Sequence, residues 1–180
     1  MRLDSRKSVS RVILMTALTL LVAFGAVTRT IVHAQAAGSD TVLSAADAGK
    51  ILPAAVFFRG QSATTQLRNS GGVKFADGMF VLTTLVDTSG YSSDVQQKYQ
   101  AYFINEVPIK IEGHDLPAGI YGVGFVADQK FIVLDVGAHD LFTVSSHHDE
   151  GLKRPMPLKV VGAEGTYRLY AGRNYVTFNK

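Results

Sequence analysis

The 180-residue sequence contains no cysteine and no tryptophan. The absence of cysteine excludes disulfide bonds, thiolate catalysis and lipid attachment to a lipobox cysteine. Folding must therefore rely on the packing of apolar side chains, and residues 37–180 are numerous enough to form one independent core. Without tryptophan there is no strong aromatic platform for sugars, and Tyr91, Tyr99 and Tyr102 are expected to be half-buried sheet residues.

The sequence also lacks an excess of charge outside its N-terminus. Five of the 18 Lys and Arg residues but only one of the 15 Asp and Glu residues precede residue 37, which leaves 13 basic and 14 acidic residues beyond it. The formal charge of +3 therefore belongs to the N-terminal segment. The composition indicates no basic surface for nucleic acid or for an anionic membrane.

The N-terminal segment has the pattern of a secretory signal peptide. Four basic residues lie among the first eleven, and an uncharged apolar run of sixteen residues follows at 12–27. Residues 34–36, Ala-Gln-Ala, give the small-x-small pattern of a cleavage site. We predict that residues 1–36 are a signal peptide and that the mature chain is periplasmic or secreted. The alternative is an uncleaved anchor, favoured by Arg29, and only this alternative places the protein at a membrane.

Short apolar segments rich in Val, Ile, Phe and Tyr alternate with Gly, Asn, Asp and Pro after residue 53. No long helical segment separates them, which is typical of all-β domains. We predict an all-β fold, either an antiparallel sandwich or an open barrel. It should form a single β domain over residues 54–180, which follows a leader and short helix over residues 37–53. Strands are expected at residues 54–59, 64–68, 79–86, 99–105, 107–111, 119–127, 130–136, 158–161, 166–171 and 175–178.

Two short helical segments are expected before and within this domain. Ser44 and Asp47 have the spacing of a capping box, in which the serine hydroxyl accepts a hydrogen bond from the Asp47 amide. Pro53 disfavours a helical conformation at the preceding residue, so this helix should end near Ile51. Residues 93–98 are compatible with one or two further helical turns.

Glycine and asparagine mark several connections. Residues 69–72, Asn-Ser-Gly-Gly, and residues 77–78, Asp-Gly, are predicted turns because Gly and Asn tolerate positive φ, and residues 128–129 form a predicted tight turn. Gly122 and Gly124 alternate with apolar residues within an expected strand. One face of that strand therefore lacks side chains, which predicts a β-bulge or a backbone or aromatic ring packed closely against it.

A polar cluster at His147, His148, Asp149 and Glu150 lies shortly after His139. Imidazole and carboxylate groups suit zinc or a similar divalent ion, so these five residues are candidate metal ligands. Neighbouring side chains on a strand point to opposite faces, which argues against His147 and His148 binding the same ion. The alternative is a solvated loop that joins two strands and holds no cofactor.

Residues 85–90, Leu-Val-Asp-Thr-Ser-Gly, resemble the apolar-apolar-Asp-Thr-Gly segment of retropepsin-like aspartic proteases, and residues 170–174, Tyr-Ala-Gly-Arg-Asn, resemble a second segment of that family. The resemblance implies Asp87 as a catalytic aspartate. Because such enzymes pair two aspartates, a domain with one would have to dimerise. Ser89 stands where the family has glycine, and the family's closing helix has no counterpart after Asn174. A polar turn at the end of a strand is the alternative explanation of Asp87.

Other catalytic motifs are absent from the sequence. It contains no Gly-x-Ser-x-Gly elbow, no Walker loop and no His-Glu-x-x-His. Residues 122–127 match the dinucleotide fingerprint in letters, but they lie within an expected strand and open no helix. They therefore predict no phosphate site.

Residues 116–121, Leu-Pro-Ala-Gly-Ile-Tyr, resemble a segment that begins a strand in many secreted β-sandwich modules. Together with residues 86–94, 131–142 and 165–178, they resemble a group of small exported bacterial proteins with no assigned activity. The resemblance implies export and a β fold.

Three functions remain open on these observations. We expect an exported, non-enzymatic binding or envelope-associated accessory module, whose partner is an unidentified protein or small molecule and not nucleic acid. The first alternative is a hydrolase that acts through Asp87 or through a metal held between His139 and Glu150. The second alternative is a structural or self-assembling envelope protein.

Overall fold

The structure, a computed structural model, describes residues 38–180, and the predicted signal peptide lies outside the described residues. Fourteen strands and two short helices occur in this part of the chain. In chain order they are β1 (Thr41–Leu43), α1 (Ala45–Ile51), β2 (Ala55–Phe58), β3 (Gln61–Lys74), β4 (Phe80–Val86), α2 (Ser93–Lys98), β5 (Ala101–Asn105), β6 (Ile109–Ile111), β7 (His114–Leu116), β8 (Gly119–Val126), β9 (Lys130–Leu134), β10 (Asp140–Ser145), β11 (His147–His148), β12 (Met156–Ala163), β13 (Thr166–Gly172) and β14 (Asn174–Asn179).

The strands form two antiparallel sheets. The first sheet has the order β1-β3-β4-β5-β8-β9-β10, with β2 paired to the N-terminal end of β3. The second has the order β12-β13-β14-β6-β7, with β11 paired to β14. The sheets pack face to face, which confirms the predicted all-β fold as an antiparallel sandwich.

Two apolar cores lie on opposite faces of the first sheet. On β9, Phe131 and Val133 belong to the core between the sheets, whereas Ile132 and Leu134 belong to a second core on the outer face. Successive side chains of a strand point to opposite faces, so a strand buried on both sides is a continuous apolar run. The core between the sheets includes the aromatic residues Phe75, Phe103, Tyr121, Tyr167 and Phe178.

The outer core is covered by α1, α2 and β2. Ala48 of α1, Val95 of α2 and Phe58 of β2 pack there with Leu82 of β4 and Leu134 of β9. The first sheet is therefore the middle layer of the described structure, between the second sheet and the helices. Neither helix within residues 38–180 is long and apolar enough to cross a membrane.

Both short helices occur where they were expected. The Ser44 hydroxyl accepts a hydrogen bond from the Asp47 amide at 3.2 Å and donates one to the Asp47 carboxylate at 2.7 Å, which confirms the capping box. Helix α1 ends at Ile51, and Leu52 is extended ahead of Pro53. Helix α2 occupies the six expected residues.

The predicted turn at residues 69–72 is wrong, because strand β3 runs through it. A register shift between Gln66 and Ser70 accommodates the polar residues as a β-bulge. The glycines serve close packing and have no positive φ. A Cβ on Gly72 would lie only 2.3 Å from the Val81 carbonyl oxygen of β4.

Gly122 and Gly124 leave one face of β8 without side chains, and the predicted close packing of a ring and a backbone against this face is present. A Cβ on Gly122 would lie 2.7 Å from the Phe58 ring and 2.8 Å from the Tyr99 ring. A Cβ on Gly124 would lie 2.1 Å from the Lys98 carbonyl oxygen at the end of α2. An aromatic pair and a helix terminus thus rest directly on the backbone of this strand.

Two hairpin turns have an unusual residue before glycine. The turn that joins β2 and β3 has φ values of 47° at Arg59 and 81° at Gly60, and the turn that joins β6 and β7 has values of 47° at Glu112 and 82° at Gly113. Such type I′ turns favour Asn-Gly, because asparagine tolerates this conformation better than other residues with side chains. The predicted turn at residues 128–129 also has positive φ at both residues.

The β6–β7 hairpin is an excursion from the first sheet into the second, since β5 and β8 are neighbours in the first sheet. Asn105 donates hydrogen bonds to the carbonyl oxygens of Val107 at 2.9 Å and Pro117 at 2.7 Å. The Tyr121 hydroxyl donates to the same Pro117 oxygen at 2.9 Å. Gly119 is required because a Cβ there would lie 2.8 Å from that hydroxyl. The Leu-Pro-x-Gly-x-Tyr segment therefore fixes the return of the chain to the first sheet.

Candidate functional site

Asp87 lies in an exposed turn after β4. Its backbone amide donates to the Thr64 carbonyl oxygen at 2.8 Å, and its carboxylate accepts from the Ser89 amide at 3.0 Å. Hydrogen bonds from the backbone and then the side chain of Ser89 lower the pKa of Asp87. An aspartic protease dyad holds one protonated carboxyl group. No second carboxylate within residues 38–180 forms a hydrogen bond with Asp87.

The other segment of the protease resemblance lies in the second sheet. Residues 170–174 form the end of β13, the turn after it and the start of β14. The Arg173 guanidinium donates to the carbonyl oxygens of Leu152 at 3.1 Å and Lys153 at 3.4 Å. Arg173 therefore anchors the loop before β12, whereas Asp87 belongs to the first sheet.

His139 is part of the connection between β9 and β10. The Asp135 carboxylate accepts from the amides of Gly137 at 2.8 Å and His139 at 3.0 Å, and its other oxygen lies 2.9 Å from the His139 Nδ1. Hydrogen bonds from the His139 backbone and then its side chain lower the pKa of Asp135. These contacts define the shape of the loop and place Ala138 at its tip with a φ of 66°.

The neighbouring residues His147 and His148 point in opposite directions from β11, as the strand geometry predicts. The His147 Nε2 lies 3.2 Å from the Glu112 carboxylate, and its ring stacks on Tyr175 with centroids 5.1 Å apart. The His148 Nδ1 lies 2.7 Å from the Asn174 side-chain oxygen. The two imidazoles therefore have separate partners.

Glu112 has a structural role that the sequence did not reveal. One side of β14 pairs with β6 and β11, and the gap between these two strands falls at Thr177. The Glu112 carboxylate accepts from the Thr177 amide and also binds His147. It thus takes the place of a missing strand carbonyl, which accounts for the unfavourable φ at Glu112.

The remaining metal candidates face the β13–β14 turn. The Asp149 carboxylate accepts from the Tyr170 hydroxyl at 2.9 Å, and its amide donates to the Arg173 carbonyl oxygen at 2.9 Å. Glu150 is exposed. Across residues 38–180, no three His, Asp or Glu side chains converge as a metal site. The structure thus brings His147 together with Glu112 and leaves His139, His148, Asp149 and Glu150 apart from them.

A recess of about 80 Å³ opens beside α2 on the outer face of the first sheet. One side of the recess is formed by residues of α2 that are three and four positions apart and therefore lie on the same face of the helix. The β2–β3 turn and the β9–β10 loop form its other walls. Its lining consists of Phe58, Arg59, Asp94, Val95, Lys98, Tyr99, Leu134 and Ala138.

The floor of the recess is an aromatic stack. The Tyr99 and Phe58 rings lie 3.7 Å apart, and the Tyr91 ring meets both edge-on. Tyr91, Tyr99 and Tyr102 are all buried, not half-buried as predicted, and of the three only Tyr102 lies in a strand, β5. The Tyr99 hydroxyl has no hydrogen-bond partner within the described part of the chain. Burial, reinforced by Tyr91 and Tyr102, raises the pKa of Tyr99 strongly. Tyr99 is therefore a neutral residue at every physiological pH.

The rim of the recess carries charges of both signs. Lys98 is paired with Asp140 at 2.7 Å. Arg59 and Asp94, in contrast, lie within ion-pairing distance neither of each other nor of another oppositely charged side chain among residues 38–180. Unlike Glu112, Arg59 thus has an unfavourable backbone conformation for which the described structure offers no compensating side-chain contact.

A wider depression of about 300 Å³ continues from the recess on the other side of Arg59 and Val95. Gly60, Gln61, Tyr91 and Ser92 complete its lining. The depression therefore adjoins the recess at Arg59 and Val95 and has the more polar lining of the two.

Comparison with known proteins yields no matching family model, no matching curated protein and no matching solved structure. The resemblance to small exported bacterial proteins therefore stays a prediction from the sequence. The recess was missed at that stage because its residues come from three separate segments. The nearest signal was the pair of glycines on β8, which marks where Phe58 and Tyr99 rest on the sheet.

Proposed function

We propose that the protein is an exported, non-enzymatic β domain that acts as a binding or envelope-associated accessory module, with the recess beside α2 as its ligand site. A buried apolar cavity with a few polar groups at its rim is the usual form of a small-molecule site. The sequence offers Asp87 and the histidines as candidate catalytic or metal-binding residues. In the structure, the hydrogen bonds of these side chains stabilise turns and strands.

The observation that carries this proposal is the position of Arg59. Arg59 has the left-handed φ that its hairpin turn requires, and its amide donates to the Val136 carbonyl oxygen at 2.8 Å, but its side chain makes no hydrogen bond or ion pair within residues 38–180. Such departures from local rules are expected where function requires them. A cation held at the rim of an apolar recess serves recognition of a polar ligand group.

Native mass spectrometry of the mature protein, purified from its envelope fraction without chelators, tests this function. We expect a retained small molecule on the wild-type protein and its loss in Arg59→Gln. Arg68→Gln, which removes the same charge from an exposed position on β3, should retain the molecule and serves as the control.

Other outcomes would contradict the proposal. Bare masses for all three proteins, or an integer multiple of the chain mass in each, would favour a structural or self-assembling role. Stoichiometric metal in elemental analysis of the same samples would return attention to the segment from His139 to Glu150.

A further inference from the structure

The size of the recess limits the group that can enter it. Its volume of about 80 Å³ is roughly half that of a cavity of about 150 Å³ that holds benzene. A branched aliphatic group of three or four carbon atoms fits this space more closely than an aromatic ring. The floor of Phe58, Val95 and Leu134 offers such a group only apolar contacts.

The charges on the rim indicate which polar groups the ligand carries beside its aliphatic group. Arg59 and Asp94 line the same recess but are too far apart to pair with each other. Both side chains are exposed, and a ligand with one charge would pair with only one of them. A ligand with a carboxylate and an ammonium group on the same carbon atom would pair with both by charge-assisted hydrogen bonds.

Lys98 does not change this balance. Its ammonium group is neutralised by Asp140 at 2.7 Å, so the two unpaired charges at the rim are those of Arg59 and Asp94. The adjoining polar depression, which shares Arg59 and Val95 with the recess, gives the charged end of a ligand room outside the apolar floor.

We infer that the recess binds a free aliphatic α-amino acid such as leucine or valine, with its carboxylate at Arg59, its ammonium group at Asp94 and its side chain on the Phe58–Tyr99 floor. This inference rests on the proposed function and names the ligand class of the same site. Glycine lacks the aliphatic group, and phenylalanine carries a bulkier side chain that fits the recess less closely.

Isothermal titration calorimetry of the purified protein tests the inference. We expect saturable binding of leucine and at least about tenfold weaker binding of 4-methylpentanoate and 3-methylbutylamine, which each lack one charged group. Arg59→Gln and Asp94→Asn should each weaken leucine binding by a similar factor. The controls Arg68→Gln and Asp128→Asn change exposed charges elsewhere and should leave it unchanged.

A cycle of protein and ligand changes locates each charged group. In Arg59→Gln, the loss of the ligand's carboxylate should have little further effect, so leucine and 3-methylbutylamine should bind with similar affinity. In Asp94→Asn, leucine and 4-methylpentanoate should bind with similar affinity. Additive losses in either variant would overturn the assignment, because the two changed groups would then not interact.

Several results would overturn the inference and still distinguish it from the proposed function. If 4-methylpentanoate binds as tightly as leucine, the ligand is a simple anion. If none of these compounds binds, but native mass spectrometry shows another small molecule that Arg59→Gln releases, the ligand class is wrong and the binding function stands. If neither experiment detects a ligand, both proposals fail.

Discussion

The rings of Phe58 and Tyr99 stack with their centroids 3.7 Å apart and their planes inclined by 18°. Both rings rest on Gly122, whose missing side chain lets them approach the sheet. The depth of the recess beside α2 thus depends on one backbone position of β8.

Replacement of Gly122 by alanine should destabilise the fold. The new Cβ would lie less than 3 Å from atoms of both rings, so the aromatic pair must move away from the sheet. Overpacking of this kind costs about 1–3 kcal/mol, which urea unfolding would measure. Gly90→Ala is the matched control, because the nearest atom to its Cβ would be 4.0 Å away. Equal effects of the two substitutions would contradict the packing role of Gly122.

Replacement of Arg59 by asparagine should stabilise the fold while it removes ligand binding. Asparagine tolerates the φ of 47° better than arginine, and the expected gain is roughly 0.5–1 kcal/mol in urea unfolding. Arg68→Asn, on strand β3, should give no such gain. A loss of stability in Arg59→Asn would mean that the arginine side chain supports the fold.

Tyr167→Phe should lower the free energy of unfolding at neutral pH by about 1–3 kcal/mol, because the buried hydroxyl donates to the Asp40 carboxylate at 2.5 Å. Burial, followed by the contact with Asp40, raises the pKa of Tyr167 to about 12. A raised folded-state pKa gives stability that is complete below the unfolded pKa near 10 and lost as the pH rises towards 12. The difference between wild type and variant should therefore shrink over this range, and a difference that grows would contradict it.

Asp135→Asn should destabilise the protein at neutral pH but not in acid. The pKa of Asp135 is lowered by the backbone and side chain of His139, so its contribution to stability is present above the unfolded pKa of about 3.9 and lost as the pH falls through the lower folded value. Urea unfolding of both proteins at a series of pH values should show the difference shrink below about pH 4 and vanish once the pH is below the lowered folded-state pKa. A constant difference down to the lowest pH would show that the carboxylate charge is not responsible.

The alternation of apolar residues was sufficient to predict an all-β fold and most of its strands, but it left a sandwich and an open barrel as alternatives. The capping pair of Ser44 and Asp47 located α1 correctly, because both residues act within one turn of the chain. Gly122 was also interpreted correctly, since an interruption of side chains on one strand face has few physical explanations. These are signals that depend on neighbours in sequence.

Residues 69–72 show the limit of such signals. Glycine permits a positive φ, and it also permits another backbone to approach, and sequence alone does not separate these two uses. At Gly72 the second use applies, because β4 lies against it. The same composition that favours a turn therefore occurs here inside the longest strand of residues 38–180.

The candidate site could not be predicted because its parts meet only in the folded chain. Arg59, Asp94 and Ala138 come from a hairpin turn, a helix and a loop that have no shared motif. The partner of His147 is equally distant, since Glu112 lies 35 residues earlier. Contacts of this kind follow from topology, which strand periodicity does not specify.

The passage of the chain from β5 through the β6–β7 hairpin and back to β8 has a consequence for unfolding. The hairpin belongs to the second sheet, but both of its ends are tied to adjacent central strands of the first sheet through Asn105 and Tyr121. Neither sheet can therefore melt while the other keeps its complete set of hydrogen bonds. The domain should lose its structure in a single cooperative step, and the most protected amides in hydrogen exchange should lie on both sheets at this junction.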